Sequence, residues 1–210
     1  MTRDLKQQLS LYLVMGSQNC IHDPVTTLEE AIKGGVTFFQ YREKGEGARV
    51  GDERVQLGLR LKEVCHRCEI PFIVNDDLQL ALELDADGLH IGQDDGDVNE
   101  IKRKLGEQKI LGLSTHNVEE AVQANKYDVD YIGVGPMFDT KTKEDIEEVR
   151  GPVVVKEIRE ELPDIPLVGI GGINQGNAEY VTNAGANGVA VISAISKAKS
   201  PKYAAKEFNK

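Results

Sequence analysis

The sequence predicts an α/β chain folded as a (βα)8 TIM barrel, one domain spanning residues 1–210. Three observations predict it: eight short apolar runs, helix-like segments between them, and polar residues gathered after the runs rather than before them. The runs are Leu11 to Met15, Thr37 to Tyr41, Phe72 to Val74, Gly88 to Ile91, Ile110 to Leu113, Tyr131 to Val134, Leu167 to Ile170 and Gly188 to Ile192. Their interiors are nearly continuous in apolar residues. That is the composition of parallel strands covered on both faces, whereas a half-exposed strand alternates.

The intervening segments carry helical periodicity and end signals. Thr26 or Thr27 is placed to N-cap a helix reaching Ile32, with Glu29 and Glu30 near its positive dipole end and Gly34-Gly35 to close it. Asn117, followed by Glu119 and Glu120, opens another in the same way. Alternating units with right-handed crossovers allow an open doubly wound sheet or a closed barrel, and eight units in 210 residues select the barrel.

Length and composition bound the function. A chain of 210 residues with 40% hydrophobic and 29% charged residues buries one core without staples. No low-complexity tract or Pro/Ser-rich linker breaks it. No apolar stretch approaches the ~20 residues that cross a bilayer, and Met1 to Gln8 lacks the apolar centre of a signal peptide, so the expected address is cytoplasmic, away from membranes. A net charge of −10 opposes a nucleic-acid partner, and any anionic ligand must meet local cations. Three cysteines, Cys20, Cys65 and Cys68, make no disulfide framework. Cys65-His66-Arg67-Cys68 has no second metal-binding pair at a finger-like spacing and reads as the end of a helix.

In a barrel, all the polar residues that follow the strands share one mouth. Gln40, Arg42 and Lys44 alternate along the end of the second strand and therefore face one side. Two cations and an amide there suit a diphosphate, Arg by paired hydrogen bonds and Lys as a mobile charge. The same cluster is also compatible with a solvated strand end paired to Glu43.

Asn75-Asp76-Asp77 and Gly92-Gln93-Asp94-Asp95 follow neighbouring strands, so each delivers carboxylates to the same rim. Asp76 and Asp95 are candidate Mg2+ ligands, because that ion takes one or two carboxylates plus substrate phosphates. Helix capping is the other reading of these acids, and Asp77 is placed to cap the helix beginning at Leu78. The histidines His22, His66, His90 and His116 show no zinc-ligand spacing, and His90, inside an apolar strand, is expected in the core or supporting the site.

Gly135 to Lys143 combines a turn with hydroxyls and two lysines, an anion clamp in character. Gly169-Ile170-Gly171-Gly172-Ile173 and Ile192-Ser193 leave the last two strands, where barrels build phosphate sites from backbone N–H groups. A second phosphate on a second substrate fits there. Tight turning alone also accounts for the glycines, and neither a GxGxxG nor a Walker spacing occurs.

Taken in order, Gln40-Tyr41-Arg42-Glu43-Lys44, Asn75-Asp76-Asp77, His90-Ile91-Gly92-Gln93, Gly112-Leu113-Ser114-Thr115-His116, Thr140-Lys141-Thr142-Lys143, Gly169-Ile170-Gly171-Gly172-Ile173 and Ile192-Ser193-Ala194-Ile195 resemble the motif series of the thiamine phosphate synthases. The resemblance implies a transferase of thiamine biosynthesis that joins an aminopyrimidine methyl diphosphate to a thiazole phosphate and releases pyrophosphate. It implies that Gln40, Arg42, Lys44 and Asn75 hold the diphosphate substrate, that Ser114 and Lys143 contact it, and that Asp76 and Asp95 bind Mg2+. It further implies that Thr140, Thr142, Gly172, Ile192 and Ser193 receive the thiazole phosphate. The implied course is dissociative: pyrophosphate leaves, a pyrimidine methyl cation forms, and the thiazole nitrogen attacks it. Arg42, Lys44, Ser114 and Lys143 are then the residues acting on the departing charge. One departure is Phe138-Asp139, where relatives often carry an aromatic–proline pair. A thiazole tautomerase, with a proton-transferring histidine near His116, and a non-catalytic sensor of thiamine intermediates are the rival readings. Neither needs the full set Arg42, Lys44, Asn75, Asp76 and Asp95.

Overall fold

The computed structural model describes residues 4–139 and 149–209. Eight parallel strands close into a barrel in sequential order: β1 (Leu11–Met15), β2 (Phe38–Tyr41), β3 (Phe72–Asn75), β4 (Gly88–Ile91), β5 (Ile110–Thr115), β6 (Tyr131–Val134), β7 (Leu167–Ile170) and β8 (Gly188–Val191). Closure comes from Leu11 beside Val189 and Leu13 beside Val191. The helices are α1 (Leu5–Gln8), α2 (Pro24–Lys33), α3 (Gly51–Arg67), α4 (Leu78–Glu83), α5 (Val98–Leu105), α6 (Val118–Lys126), α7 (Val153–Glu161), α8 (Ala178–Asn183), α9 (Ser193–Ser196) and α10 (Pro201–Lys206).

Every residue of β1, β2, β4, β6 and β8 is buried, which is why these strands show no polar alternation. The apolar residues divide into two sets. One fills the layer between sheet and helices, with Leu13, Phe39, Tyr41, Val74, Leu113 and Val134 pointing outward. The other lines the barrel interior, with Tyr12, Val14, Phe38, Ile73, Tyr131 and Val168 pointing inward. Successive residues of one strand belong to different layers because strand side chains alternate.

Some sequence expectations shift at the element ends. The cap of α2 is Asp23, not Thr26 or Thr27. Its carboxylate accepts from the Thr26 N–H at 3.0 Å, and Pro24 supplies a preset φ at the first helical position. Asn117 caps α6 as expected, accepting from the Glu120 N–H at 2.8 Å, and Asp77 caps α4 through the Leu80 N–H at 2.9 Å. Strand β5 runs two residues further than its apolar run, because Ser114 and Thr115 stay in register with Gly133 and Val134. Asn75 likewise ends β3, in register with His90, and Ile192 leaves β8 to precede α9.

At the strand-entry end one device is used four times. Thr37, Asp87, Asp130 and Asn187 each stand immediately before an even-numbered strand. Their side chains accept from the backbone N–H groups of Leu11 (3.1 Å), Phe72, Leu111 and Leu167 (2.8 Å each) on the preceding odd-numbered strands. Their own N–H groups donate back to the carbonyls of those same four residues. Each clamp pairs an N–H that the ladder leaves over at the start of a strand. No helix among the described residues is long and apolar enough to cross a membrane.

Candidate active site

The strand-exit end is the mouth. Strand alternation sends Gln40 inward, where it is 4% exposed, and Tyr41 outward, where its hydroxyl donates to the Arg54 carbonyl at 2.9 Å. Arg42 extends the ladder by donating its N–H to the Met15 carbonyl at 3.0 Å. No hydrogen bond or ion pair engages its half-buried guanidinium among the described residues.

Glu43 is not the partner of these cations. It is 6% exposed and accepts from the Ser17 N–H (2.8 Å), the Ser17 hydroxyl and the Arg49 N–H (2.7 Å). Its charge is spent on holding the loops after β1 and β2. That leaves Arg42 without an acidic partner among the described residues, and Lys44 turned toward β3.

Lys44 donates to the Asp76 carboxylate at 2.7 Å. Asp76 lies in the left-handed region, φ 59°, and its N–H donates to the His90 carbonyl at 2.8 Å, so it is pinned against β4. A β-branched residue would tolerate that φ poorly, whereas aspartate adopts it at low cost. Asp95 reaches the same place from the loop after β4, which folds back so that its carboxylate accepts from the Gly92 N–H at 2.6 Å.

The Asp76 and Asp95 carboxyls are within hydrogen-bonding reach of one another, and their titrations respond to that. Burial alone would push Asp76 up, but the Lys44 ammonium overrides it and holds the carboxyl below its usual range. Burial, opposed by the Gly92 N–H, and the charge of Asp76 push Asp95 up. Lys44 is held protonated by its hydrogen bond to Asp76, against the effect of burial. Among the described residues no group of three or more His, Cys, Asp or Glu side chains could by itself cage a metal ion. Two adjoining carboxyls near an arginine that has no acidic partner among the described residues fit an ion shared with a phosphate ligand, such as Mg2+, better than an all-protein site.

A cavity of about 340 Å³ opens here, lined by Glu43, Lys44, Arg54, Asn75, Asp76 and Asp77. Arg54, from α3, pairs with Asp77 at 2.8 Å. Asp77 is thereby committed to capping and pairing, as its place before α4 suggests.

On the neighbouring strands, Gln93 donates to the Ser114 carbonyl at 2.6 Å, and the Ser114 hydroxyl lies 3.0 Å from His90 Nε2. His90 is 9% exposed. His116, by contrast, is half-buried at the rim with its Nδ1 2.9 Å from Glu120. Across the mouth, the loops after β6 and β7 are laced together: Met137 donates to the Ile170 carbonyl at 2.9 Å and Phe138 to the Gly171 carbonyl at 3.0 Å. Gly172 (φ 66°) has the Phe138 carbonyl oxygen 2.6 Å from where a Cβ would stand, so the close approach requires glycine. Ile192 is buried before α9, and Ser193 is exposed as its first residue. Thr140, Thr142 and Lys143 lie outside the described residues.

The exit ends of β2 to β5 and the loops that follow them carry Gln40, Arg42, Lys44, Asn75, Asp76, Asp95 and Ser114, while Gly172 follows β7 and Ile192 and Ser193 follow β8. Sequence reading passed over Tyr12 and Tyr131, which look like core residues in apolar strands. Glycine inside a strand marks a close approach, and Gly112 and Gly133 beside His90 were the available signal.

Fold and mouth together define a barrel enzyme that handles phosphorylated small molecules. The family model described as thiamine monophosphate synthase matches residues 11–195. The chain is 50% identical over 205 residues to a thiamine-phosphate synthase of Bacillus velezensis, covering 98% of this chain and 91% of that protein. It is 51% identical over 202 residues to that of Geobacillus kaustophilus, covering 96% and 91%. Among solved structures, a thiamine phosphate pyrophosphorylase from Pyrococcus furiosus superposes with a TM-score of 0.86 at 32% identity, covering 98% of this chain and 96% of that one. A 3-hexulose-6-phosphate synthase, at 15% identity and a TM-score of 0.65, shares the fold alone. The chain belongs to the thiamine monophosphate synthase family, whose members are transferases.

Proposed function

We propose that this chain, as one cytoplasmic catalytic domain over residues 1–210, condenses 4-amino-2-methyl-5-hydroxymethylpyrimidine diphosphate with 4-methyl-5-(2-hydroxyethyl)thiazole phosphate, or its carboxylated form, to give thiamine phosphate and pyrophosphate. The observation that carries this reading is the Arg42 guanidinium, without a partner among the described residues, near the Lys44–Asp76–Asp95 cluster, in a chain about half identical to named synthases along nearly its whole length. A half-buried cation with no acidic partner among the described residues, near two adjoining carboxyls, is placed to receive an anion that arrives with a divalent ion. A diphosphate with Mg2+ is such a ligand.

In this reading Asp76 and Asp95 hold Mg2+, which when bound supplies counter-charge to the departing pyrophosphate. Arg42, Lys44 and Lys143 donate to the diphosphate oxygens, whose charge grows as the C–O bond breaks, so their attraction is larger in the transition state than in the ground state. Gln40 and Asn75 orient the pyrimidine, and Ser114 donates to the diphosphate substrate. Thr140, Thr142, Gly172, Ile192 and Ser193 hold the thiazole phosphate across the mouth, from where its ring nitrogen attacks the methylene carbon. That nitrogen carries no proton, so no general base is required.

The test is to mix the purified protein with both phosphorylated precursors, with and without Mg2+, and to measure thiamine phosphate and pyrophosphate together. Equimolar formation of both, dependent on Mg2+, is the expected result. Isomerisation of the thiazole without pyrophosphate would replace the synthase by a tautomerase, and binding without turnover would replace it by a sensor.

A further inference from the structure

A continuous chain of side-chain hydrogen bonds crosses the barrel interior beneath the mouth. Gln40 Nε2 donates to the Tyr12 hydroxyl at 2.6 Å. The Tyr12 and Tyr131 hydroxyls are 2.8 Å apart. Tyr131 Oη is 3.0 Å from His90 Nδ1, and His90 Nε2 is 3.0 Å from Ser114 Oγ. Five residues from five strands are strung in one line, and both phenols are at most 1% exposed. Space has been cleared for it. A Cβ on Gly112 would stand 2.2 Å from the Tyr131 ring and 2.5 Å from His90 Nδ1, and one on Gly133 would stand 3.2 Å from the His90 ring.

Proton counting gives the line a direction. The Gln40 amide nitrogen only donates, so the Tyr12 oxygen accepts. A phenol has one proton, and burial pushes both Tyr12 and Tyr131 well above the usual tyrosine range, so each keeps it. Tyr12 therefore donates to Tyr131, and Tyr131 donates to His90 Nδ1. That nitrogen must be bare, which puts the imidazole proton on Nε2 and directs it at the Ser114 oxygen. Ser114, having accepted from within, keeps its own hydroxyl proton for the half-buried mouth side. Reversing the Gln40 amide would reverse every link and turn that proton inward, leaving Ser114 only lone pairs to offer.

We infer that Tyr12, Tyr131 and His90 are positioning residues: together with Gln40 they form a one-directional relay that fixes the Nε2–H tautomer of His90 and so presents Ser114 as a hydrogen-bond donor to a substrate oxygen. The relay also links the two ends of one ligand. Its Gln40 end keeps a carbonyl oxygen for an N–H donor such as an exocyclic amine, and its Ser114 end offers a proton to an anionic oxygen. This rests on Ser114 meeting the diphosphate substrate.

The first measurement uses the ligand-free protein with 15N-labelled histidine, reading the His90 tautomer from long-range 1H–15N correlations. A protonated Nε2 and a bare Nδ1 are expected; an Nδ1–H tautomer or an imidazolium overturns the relay, whatever reaction the enzyme performs. The second is a double-mutant cycle on Tyr131→Phe and Ser114→Ala. Tyr131→Phe should lower kcat about tenfold, the scale of one hydrogen bond, with the thiazole phosphate KM unchanged. The same substitution should add almost nothing in the Ser114→Ala background. An equal fall in both backgrounds overturns the assignment, because Tyr131 would then act independently of Ser114. Loss of the functional reading shows up separately, as absence of thiamine phosphate from the wild-type reaction.

Discussion

The two ends of the barrel treat charge in opposite ways. At the strand-entry end, Asp87, Asp130 and Asn187 each satisfy a strand N–H, and Arg159 fans its guanidinium over the Gly185 and Ile165 carbonyls (2.8 and 2.6 Å) and Asn187 Oδ1 (2.9 Å). Lys102 meets Asp128 at 2.8 Å, and Lys62 and Lys109 share Asp85. At the exit end, Arg42 has no partner among the described residues, Lys44 pairs with Asp76, and burial together with the Asp76 charge pushes Asp95 up. Polar groups that complete each other serve the fold. Groups left in need of something serve a ligand, and the difference separates stability from chemistry residue by residue.

Breaking the exit end should cost activity and little stability. Asp76→Ala is expected to abolish most turnover together with its Mg2+ dependence, measured as thiamine phosphate formed against metal concentration. Full activity of the wild type in EDTA would remove the metal from the account. Arg42→Ala should lower kcat at least ~100-fold, as expected for losing one donor to a developing charge. Its melting temperature should stay within about 2 °C of the parent, since no hydrogen bond or ion pair of the guanidinium among the described residues is lost. A change confined to the thiazole KM would put Arg42 in the wrong pocket.

The entry end should behave the other way. Asn187→Ala leaves the Leu167 N–H and one arm of Arg159 without their acceptor. An unsatisfied strand N–H costs about 1–3 kcal/mol, or a melting temperature lower by roughly 2–10 °C for a chain of this size. Turnover at 25 °C should be unchanged. A fall in kcat without a fall in stability would mean that the two ends are coupled and that the division drawn between them is too sharp.

How much of this could be read from the chain follows from the range of the interactions. The barrel was legible because a strand covered on both faces has a composition of its own, and β1, β4, β6 and β7 match their apolar runs residue for residue. The inward turn of Gln40 was legible too, since alternation is a local rule, whereas β2 ends at Tyr41 and Arg42 and Lys44 lie beyond it. What Glu43 does was not. Pairing with its neighbours and bonding to the Ser17 and Arg49 backbone are indistinguishable until the loops are placed. The relay from Gln40 to Ser114 was hidden for the same reason: Tyr12 and Tyr131 are 119 positions apart and resemble any other core aromatics until the barrel closes and sets their hydroxyls 2.8 Å apart.

The smallest effect is expected where sequence pattern and position disagree most openly. Cys65-His66-Arg67-Cys68 has the spacing of a redox or metal pair, yet α3 ends at Arg67, with Cys68 as its cap, exposed, and Cys65 turned into the layer between sheet and helices. Burial pushes the Cys65 thiol well above its usual range, so it forms no reactive thiolate there. Cys68→Ser should therefore change neither kcat nor stability beyond about 0.5 kcal/mol, the scale of surface substitutions away from any special contact. Cys65→Ser should lower stability, by placing a hydroxyl in an apolar layer, and still leave kcat intact in the folded enzyme. Loss of turnover in Cys68→Ser, together with wild-type turnover that depends on reductant or on zinc, would make the pair functional and give the helical wall of the barrel a role that its packing does not suggest.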